Sequence, residues 1–173
     1  MRALLLALLL LTPTRAWSLS QPGSGLTLDL VGDVGFASTP AAPALGGSAT
    51  VALWRGRYDD SYAVGRFSSV GLRTELHALQ HDTGLTFLVE GRRGMDLLII
   101  KPWFTFAVGA EALGDRWNPA LRVGGGAKLR LARFVGPVVR LDGGPVFLDG
   151  RVGARVNLGL GVDWSHPFTR PKR

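Results

Sequence analysis

The sequence predicts an all-β fold, a transmembrane antiparallel up-and-down β-barrel of eight strands. Three observations carry that expectation. First, Val152, Ala154, Val156, Leu158, Leu160, Val162 and Trp164 alternate with Arg151, Gly153, Arg155, Asn157, Gly159, Gly161 and Asp163. A period of two places these sets on opposite faces of one strand. The run is longer than the five or six residues usual in soluble sheets and has the length of a tilted membrane-crossing strand. Second, the chain opens with a secretory leader: Arg2, the apolar run Leu4 to Leu11, Pro13, and small residues around Ala16-Trp17-Ser18. Third, no later stretch is apolar for long enough to cross as a helix. The longest, Leu97 to Ile100, stops at Lys101-Pro102.

The elements follow in order. Residues 1–18 are the leader, cleaved after Ser18 or after Ala16, and residues 19–25 are a short polar lead. The barrel is expected over 26–164, with a polar basic tail at 165–173. Strand one is Leu26 to Phe36, with Leu28, Leu30, Val34 and Phe36 on one face and Thr27, Asp29, Asp33 and Gly35 on the other. Ser38 to Gly47, with Pro40 and Pro43, reads as a loop. Strand two is Ser48 to Tyr58, followed by a turn at Asp59-Asp60-Ser61. Strand three is clearest from Val70 to Ala78, and Tyr62 to Ser68 predicts a bulge. A turn at His81-Asp82-Thr83-Gly84 leads to strand four, Leu85 to Gly91, which Arg92-Arg93-Gly94 ends. Met95 to Ala112 counts as one strand with a defect at Pro102. After a loop at Leu113 to Pro119 come strand six, Ala120 to Ala132, and a short strand seven, Val135 to Leu141. Asp142-Gly143-Gly144-Pro145 is a strong turn signal before strand eight. Pro102 and Tyr62–Ser68 leave ten strands open beside eight.

Composition narrows the classes. The formal charge of +7 falls to +5 when Arg2 and Arg15 leave with the leader. The arginines mostly stand singly at alternating positions, which argues against a nucleic-acid surface and for a barrel lumen or anionic lipid. There is no cysteine, so an exported chain of this size needs another source of stability. A closed ladder without free edges supplies it. Many of the 24 glycines fall at alternate strand positions, where a narrow barrel needs small residues beside arginine. Phe36, Trp54, Tyr58, Phe67, Trp103, Phe134, Phe147 and Trp164 lie near strand ends, as aromatic girdles do.

With these features the chain resembles the small eight-stranded bacterial outer-membrane barrels of the OmpA transmembrane-domain and OmpX type. The most specific likeness is Asn157-Leu158-Gly159-Leu160-Gly161-Val162-Asp163-Trp164. It is similar to the family's C-terminal assembly signal, with Asn157 as the polar residue, Gly159 as the spaced glycine, and Val162 and Trp164 as the final pair. Nine residues follow Trp164, where family members usually stop. The resemblance implies residence in the outer membrane and contact with its lipid and lipopolysaccharide. It also implies handling by the outer-membrane assembly machinery, a monomeric state and no cofactor. External loops are expected at Ser38–Gly47, Gln80–Gly84, Gly114–Pro119 and Gly143–Pro145, and only the first is long.

The candidate site is the lumen. Asp29, Asp33, Glu75, Glu90, Glu111 and Asp163 would share it with His77, Arg73, Arg122, Lys128, Arg130, Arg140, Arg151 and Arg155. An eight-stranded interior is just wide enough for side chains to fill, so a paired polar core is favoured over an ion path. Ser69, Glu75 and His77 share a strand face and have the residue types of a hydrolytic triad, as in barrels that modify lipid A. Ser69 and His77 are four alternations of about 6.6 Å apart, too far for a hydrogen bond. His77 and His81 have a helix spacing on a strand-turn segment, so no metal site is expected. Gly124-Gly125-Gly126 has no following helix and no Lys-Ser/Thr pair, so it is no phosphate loop. The expectation is a non-enzymatic barrel with a structural or surface-interaction role. A lipid-modifying barrel is the second reading. The third is a soluble periplasmic lipocalin-like barrel with Leu158, Leu160 and Val162 turned inward onto an apolar ligand, because period two alone does not say which face is inside.

Overall fold

The computed structural model describes residues 23–38, 41–59, 64–79, 82–97, 99–130, 135–148 and 151–168. The leader at 1–18, most of the lead, and the tail beyond 168 lie outside these residues. The strands are β1 (Gly23–Ser38), β2 (Ala41–Asp59), β3 (Val64–Leu79) and β4 (Asp82–Asp96), then β5 (Ile100–Leu113), β6 (Arg116–Leu129), β7 (Val135–Leu148) and β8 (Arg151–Pro167). Each is antiparallel to the next, and β8 closes on β1 from Gly25↔Pro167 to Ala37↔Arg155. The fold is a closed eight-stranded up-and-down barrel, and the ten-strand alternative falls away.

The first and last described residues, Gly23 and Phe168, lie at one end, called here the terminal end. The far end carries the connections 39–40, 80–81, 114–115 and 149–150, each of two residues. Gly114 opens its turn with φ of +57°, a left-handed conformation that glycine adopts without a Cβ penalty. Among the described residues, most of each expected external loop belongs instead to a strand. Ala41–Gly47 belongs to β2, in register with β1 through Phe36↔Pro43 and Asp33↔Gly46. Likewise Arg116–Pro119 belongs to β6, and Gly143–Pro145 to β7.

Other turn expectations fail in the same way. Arg92-Arg93-Gly94 is inside β4, which runs on to Asp96 before β5 opens at Ile100. There the Leu97 N–H donates to the Ile100 carbonyl at 3.1 Å. Asp82–Gly84 starts β4, and Asp142–Pro145 pairs with β8 through Asp142↔Asn157 and Pro145↔Ala154. From Val64 onward β3 pairs with β2 residue for residue, so the bulge expected up to Ser68 is missing over 64–68.

Stagger explains these errors. Tilted strands in a barrel overlap unevenly, so strand ends are paired on one side only. All the described prolines fall there. Pro43 precedes the first β2–β3 pair, Ala44↔Leu79, and Pro102 lies beyond the last β4–β5 pair, Gly94↔Trp103. Pro119, Pro137 and Pro145 lie outside the short β6–β7 seam, which runs only from Val123↔Gly143 to Lys128↔Val138. A missing N–H is tolerated where one neighbour is absent, so these prolines sit in strands rather than ending them.

Burial decides the faces. Val156, Leu158, Leu160 and Val162 are exposed at 48–64%, while Arg155, Asn157 and Asp163 are buried. The same inversion holds in every strand: Leu30, Val51, Leu72, Val89, Phe106, Val123 and Val139 face outward. In water so much contiguous exposed apolar surface would aggregate. It suits a wall that meets hydrocarbon. The lipocalin-like assignment of faces is thereby overturned.

Candidate functional site

The lumen is the site, and alternation builds it. Odd residues of β1, β3, β5, β7-adjacent β8 and even residues of β2, β4, β6 and β7 point inward. The largest fully buried side chains are Arg73, Arg122, Arg140 and Arg155, each at most 2% exposed. Buried charges of this kind are tolerated only when paired and hydrogen-bonded.

Nearer the far end, two carboxylates collect the cations. Glu75 Oε2 accepts from Arg155 Nη2 at 3.1 Å and from Arg122 Nε at 3.3 Å. Glu111 Oε1 accepts from Arg122 Nη2 at 3.1 Å and Thr86 Oγ1 at 3.3 Å, with Arg155 Nη1 and His77 Nε2 each at 3.0 Å. Gly84 faces the His77 imidazole so closely that a Cβ would strike the ring, a close approach only glycine allows.

Arg73 ties the middle together. Its Nη2 donates to Asp142 Oδ2 at 2.6 Å and also meets Glu75, and its Nη1 donates to Glu90 Oε2 at 3.1 Å. Arg140 spans Asp33 Oδ1 at 2.9 Å, Ser48 Oγ at 2.7 Å and Asp142 Oδ2 at 3.0 Å. Asn157 Nδ2 donates to Asp142 Oδ1 at 3.3 Å. Below Glu90, Arg92 pairs with both Glu90 and Asp29 and lies 5.2 Å from the Trp103 ring centroid.

Toward the terminal end, Lys128 pairs with Asp163 and donates to Ser165 Oγ at 3.1 Å. Asp96 accepts from Arg130 Nη2 at 2.6 Å and faces Lys101 Nζ at 3.5 Å. Lys101 also sits over the rings of Trp54 and Phe67, at 5.4 and 4.8 Å. Such contacts are attractive in a desolvated setting.

All the expected lumen residues but one come together. Arg151, the first residue of β8, is exposed at the far end instead, and Arg130 is partly exposed at the terminal mouth. Arg92 and Asp142 were missed because turn signals masked them, and Asp96 and Lys101 because Met95 to Ala112 reads as one strand. Parity would have found them: Glu90, Arg92, Gly94 and Asp96 continue one face of β4, and Arg140 and Asp142 one face of β7. Trp54, Phe67 and Trp103 are corrected from girdle to lumen, because they share parity with buried Thr50, Arg73 and Thr105. Phe36 and Trp164 do face outward, with Phe87 stacked on Trp117 at 6.3 Å. The side chains of Tyr58 and Phe134 lie outside the described residues.

Among the described ion pairs, eight acidic residues meet eight basic ones: Asp29, Asp33, Glu75, Glu90, Asp96, Glu111, Asp142 and Asp163 against Arg73, Arg92, Lys101, Arg122, Lys128, Arg130, Arg140 and Arg155. Equal numbers leave no net charge to select an ion. A cavity among Asp33, Gly46, Glu75, His77, Arg155 and Asn157 has about 10 Å³, room for one water. His77 meets Glu111, and no described contact joins it to a serine. Among the described residues no group of three His, Asp or Glu side chains converges as a metal site.

No family model matches the chain, and no curated protein matches it. Solved structures do share its architecture. The crystal structure of Neisserial surface protein A aligns with a TM-score of 0.55 at 11% identity, covering 82% of this chain and 96% of that one. A de novo designed transmembrane β-barrel aligns at 17% identity and a TM-score of 0.46, over 85% of this chain and 98% of that one. The N-terminal β-barrel domain of Pseudomonas aeruginosa OprF gives 18% identity and 0.42, over 83% and 100%. The likeness to the Neisserial protein establishes the fold: this chain has the architecture of the small eight-stranded outer-membrane barrels.

Proposed function

We propose that this chain is a non-enzymatic protein of the bacterial outer membrane, a sealed barrel whose role is structural and exercised through its outer wall. The observation that carries this reading is the lumen, crossed from Glu111 to Asp96 by matched ion pairs among its described residues. An eight-stranded wall filled in this way leaves no path for solute. At the far end Ala41–Gly47 lies within β2, so the described residues of Ser38–Gly47 form strand and not a loop offered to a soluble partner. A lipid-modifying activity would need a nucleophile beside His77.

Within this reading residues 1–18 act as the export leader, and Asn157, Gly159, Val162 and Trp164 as the assembly signal. Val162 and Trp164 face outward on the closing strand, where an assembly factor can read them during insertion. Gly159 has a second role, since a Cβ there would press on Asp33 and Val31.

The test is fractionation with gel mobility before and after boiling, followed by planar-bilayer recording. The reading predicts outer-membrane recovery, a heat-dependent shift and no stepwise conductance. Recovery in the soluble periplasm would overturn the location, and stable ion-selective openings would overturn the sealed lumen.

A further inference from the structure

The outer wall carries one charged patch that the lumen network does not touch. On β2, β3 and β4 near the terminal end, Arg55, Arg57, Arg66 and Arg93 are all exposed. Register sets them in a grid: Arg55↔Ser68↔Arg93 forms one row and Arg57↔Arg66↔Met95 the next. From strand spacing and residue rise, the grid measures about 7 by 10 Å. Arg57 and Arg66 face each other directly, an arrangement that is destabilising for like charges unless an anion lies between them. No ion pair or hydrogen bond among the described residues engages any of the four.

Position says which anion. The next row toward the far end is Leu53↔Val70↔Gly91, the start of the apolar belt. The guanidinium groups therefore sit where hydrocarbon gives way to head groups. Across the belt, the outward positions of the same strands are Leu45, Ala78 and Thr83, with no cation. Guanidinium forks match phosphate oxygens bidentately, and the Ser68 hydroxyl adds a donor between them. The patch lies at the end of Gly23 and Phe168. Set toward the periplasm, from which an exported chain inserts, that end meets a leaflet built of glycerophospholipid.

We propose that this arginine grid is a docking site for the phosphate of an anionic glycerophospholipid in the leaflet facing the terminal end. The proposal rests on the membrane-barrel reading above, and the two fail separately. Soluble fractionation ends both, whereas a membrane-integrated barrel without lipid preference ends only this one.

The experiment is native mass spectrometry of the full mature chain in detergent. Phosphatidylglycerol, phosphatidylcholine of the same acyl chains, lipid A and inorganic phosphate are added in turn. Folding of each variant is checked by its heat-dependent mobility. The expected result is a retained phosphatidylglycerol adduct, weakened roughly 30-fold in R57Q/R66Q, the contribution expected of two arginines at an anionic surface. R55Q/R93Q serves as the second variant and should weaken it similarly. Arg151→Gln, at the other end, should leave it unchanged. Equal retention of phosphatidylcholine, undiminished adducts in both folded double variants, preferential capture of lipid A, or binding of inorganic phosphate alone would each overturn the proposal.

Discussion

Arg122 and Arg66 are the same side chain in opposite settings. Inside the barrel, Arg122 is fully buried and donates to both Glu75 and Glu111. Outside, Arg66 is exposed and stands across from Arg57, another cation. The inner wall pairs the charges of its described residues, and the outer wall leaves four cations in a row-and-column grid at one rim. Pairing of the charges inside is thus a condition of folding, because unpaired buried charge is prohibitive. Charge outside is optional for folding, and its concentration at one edge of an apolar belt points to a ligand.

Breaking the inner side of that comparison should have the largest effect. Arg73→Leu takes one cation from each of Glu75, Glu90 and Asp142, and we expect a loss of about 3–5 kcal/mol in urea unfolding from lipid vesicles. Removing both members of a pair sharpens the point: Arg92→Met combined with Asp29→Leu should cost less than Arg92→Met alone, by a double-mutant cycle. Next comes a charge placed on the wrong wall. Leu160→Arg, at a position 64% exposed to the surroundings of the barrel, should cost about 2–4 kcal/mol in the same titration. Gly159→Ala, which crowds Asp33 and Val31, should cost about 1–3 kcal/mol. The smallest effect belongs to the rim. R57Q/R66Q should change stability in phosphatidylcholine vesicles by no more than about 0.5 kcal/mol, with its consequence confined to lipid selectivity.

The fold was legible because a barrel is alternation repeated, and alternation survives any local uncertainty. β8 shows this: thirteen consecutive residues from Val152 to Trp164 keep strict parity, and the structure adds only Ser165 to Pro167. Strand lengths were not legible. Gly and Pro mark turns in most chains, yet here Gly143-Gly144-Pro145 and Arg92-Arg93-Gly94 continue strands. Their glycines are pressed by neighbours: a Cβ on Gly144 would meet Leu121, and one on Gly94 would meet Phe67 and Trp103. Crowding inside a narrow barrel selects glycine for room, not for turning. The same misreading hid Arg92 and Asp142 from the candidate site, while Glu75, Arg122 and Arg155, in the middle of clear alternation, were found. The arginine grid was invisible for a different reason. Arg55, Arg57, Arg66 and Arg93 fall on three different strands, and only the β2–β3–β4 register sets them in one grid.

The central claim is that apolar residues face lipid and charges face inward. The chain has no cysteine, so single cysteines can be introduced without background. Spin labels at successive positions from Val156 to Trp164 in reconstituted vesicles should alternate. Even positions should be accessible to oxygen dissolved in the bilayer, and odd positions should be shielded from it. High accessibility to a water-soluble relaxant at Asn157, Gly159 and Asp163, with Leu158, Leu160 and Val162 shielded from both reagents, would turn the barrel inside out and contradict the account.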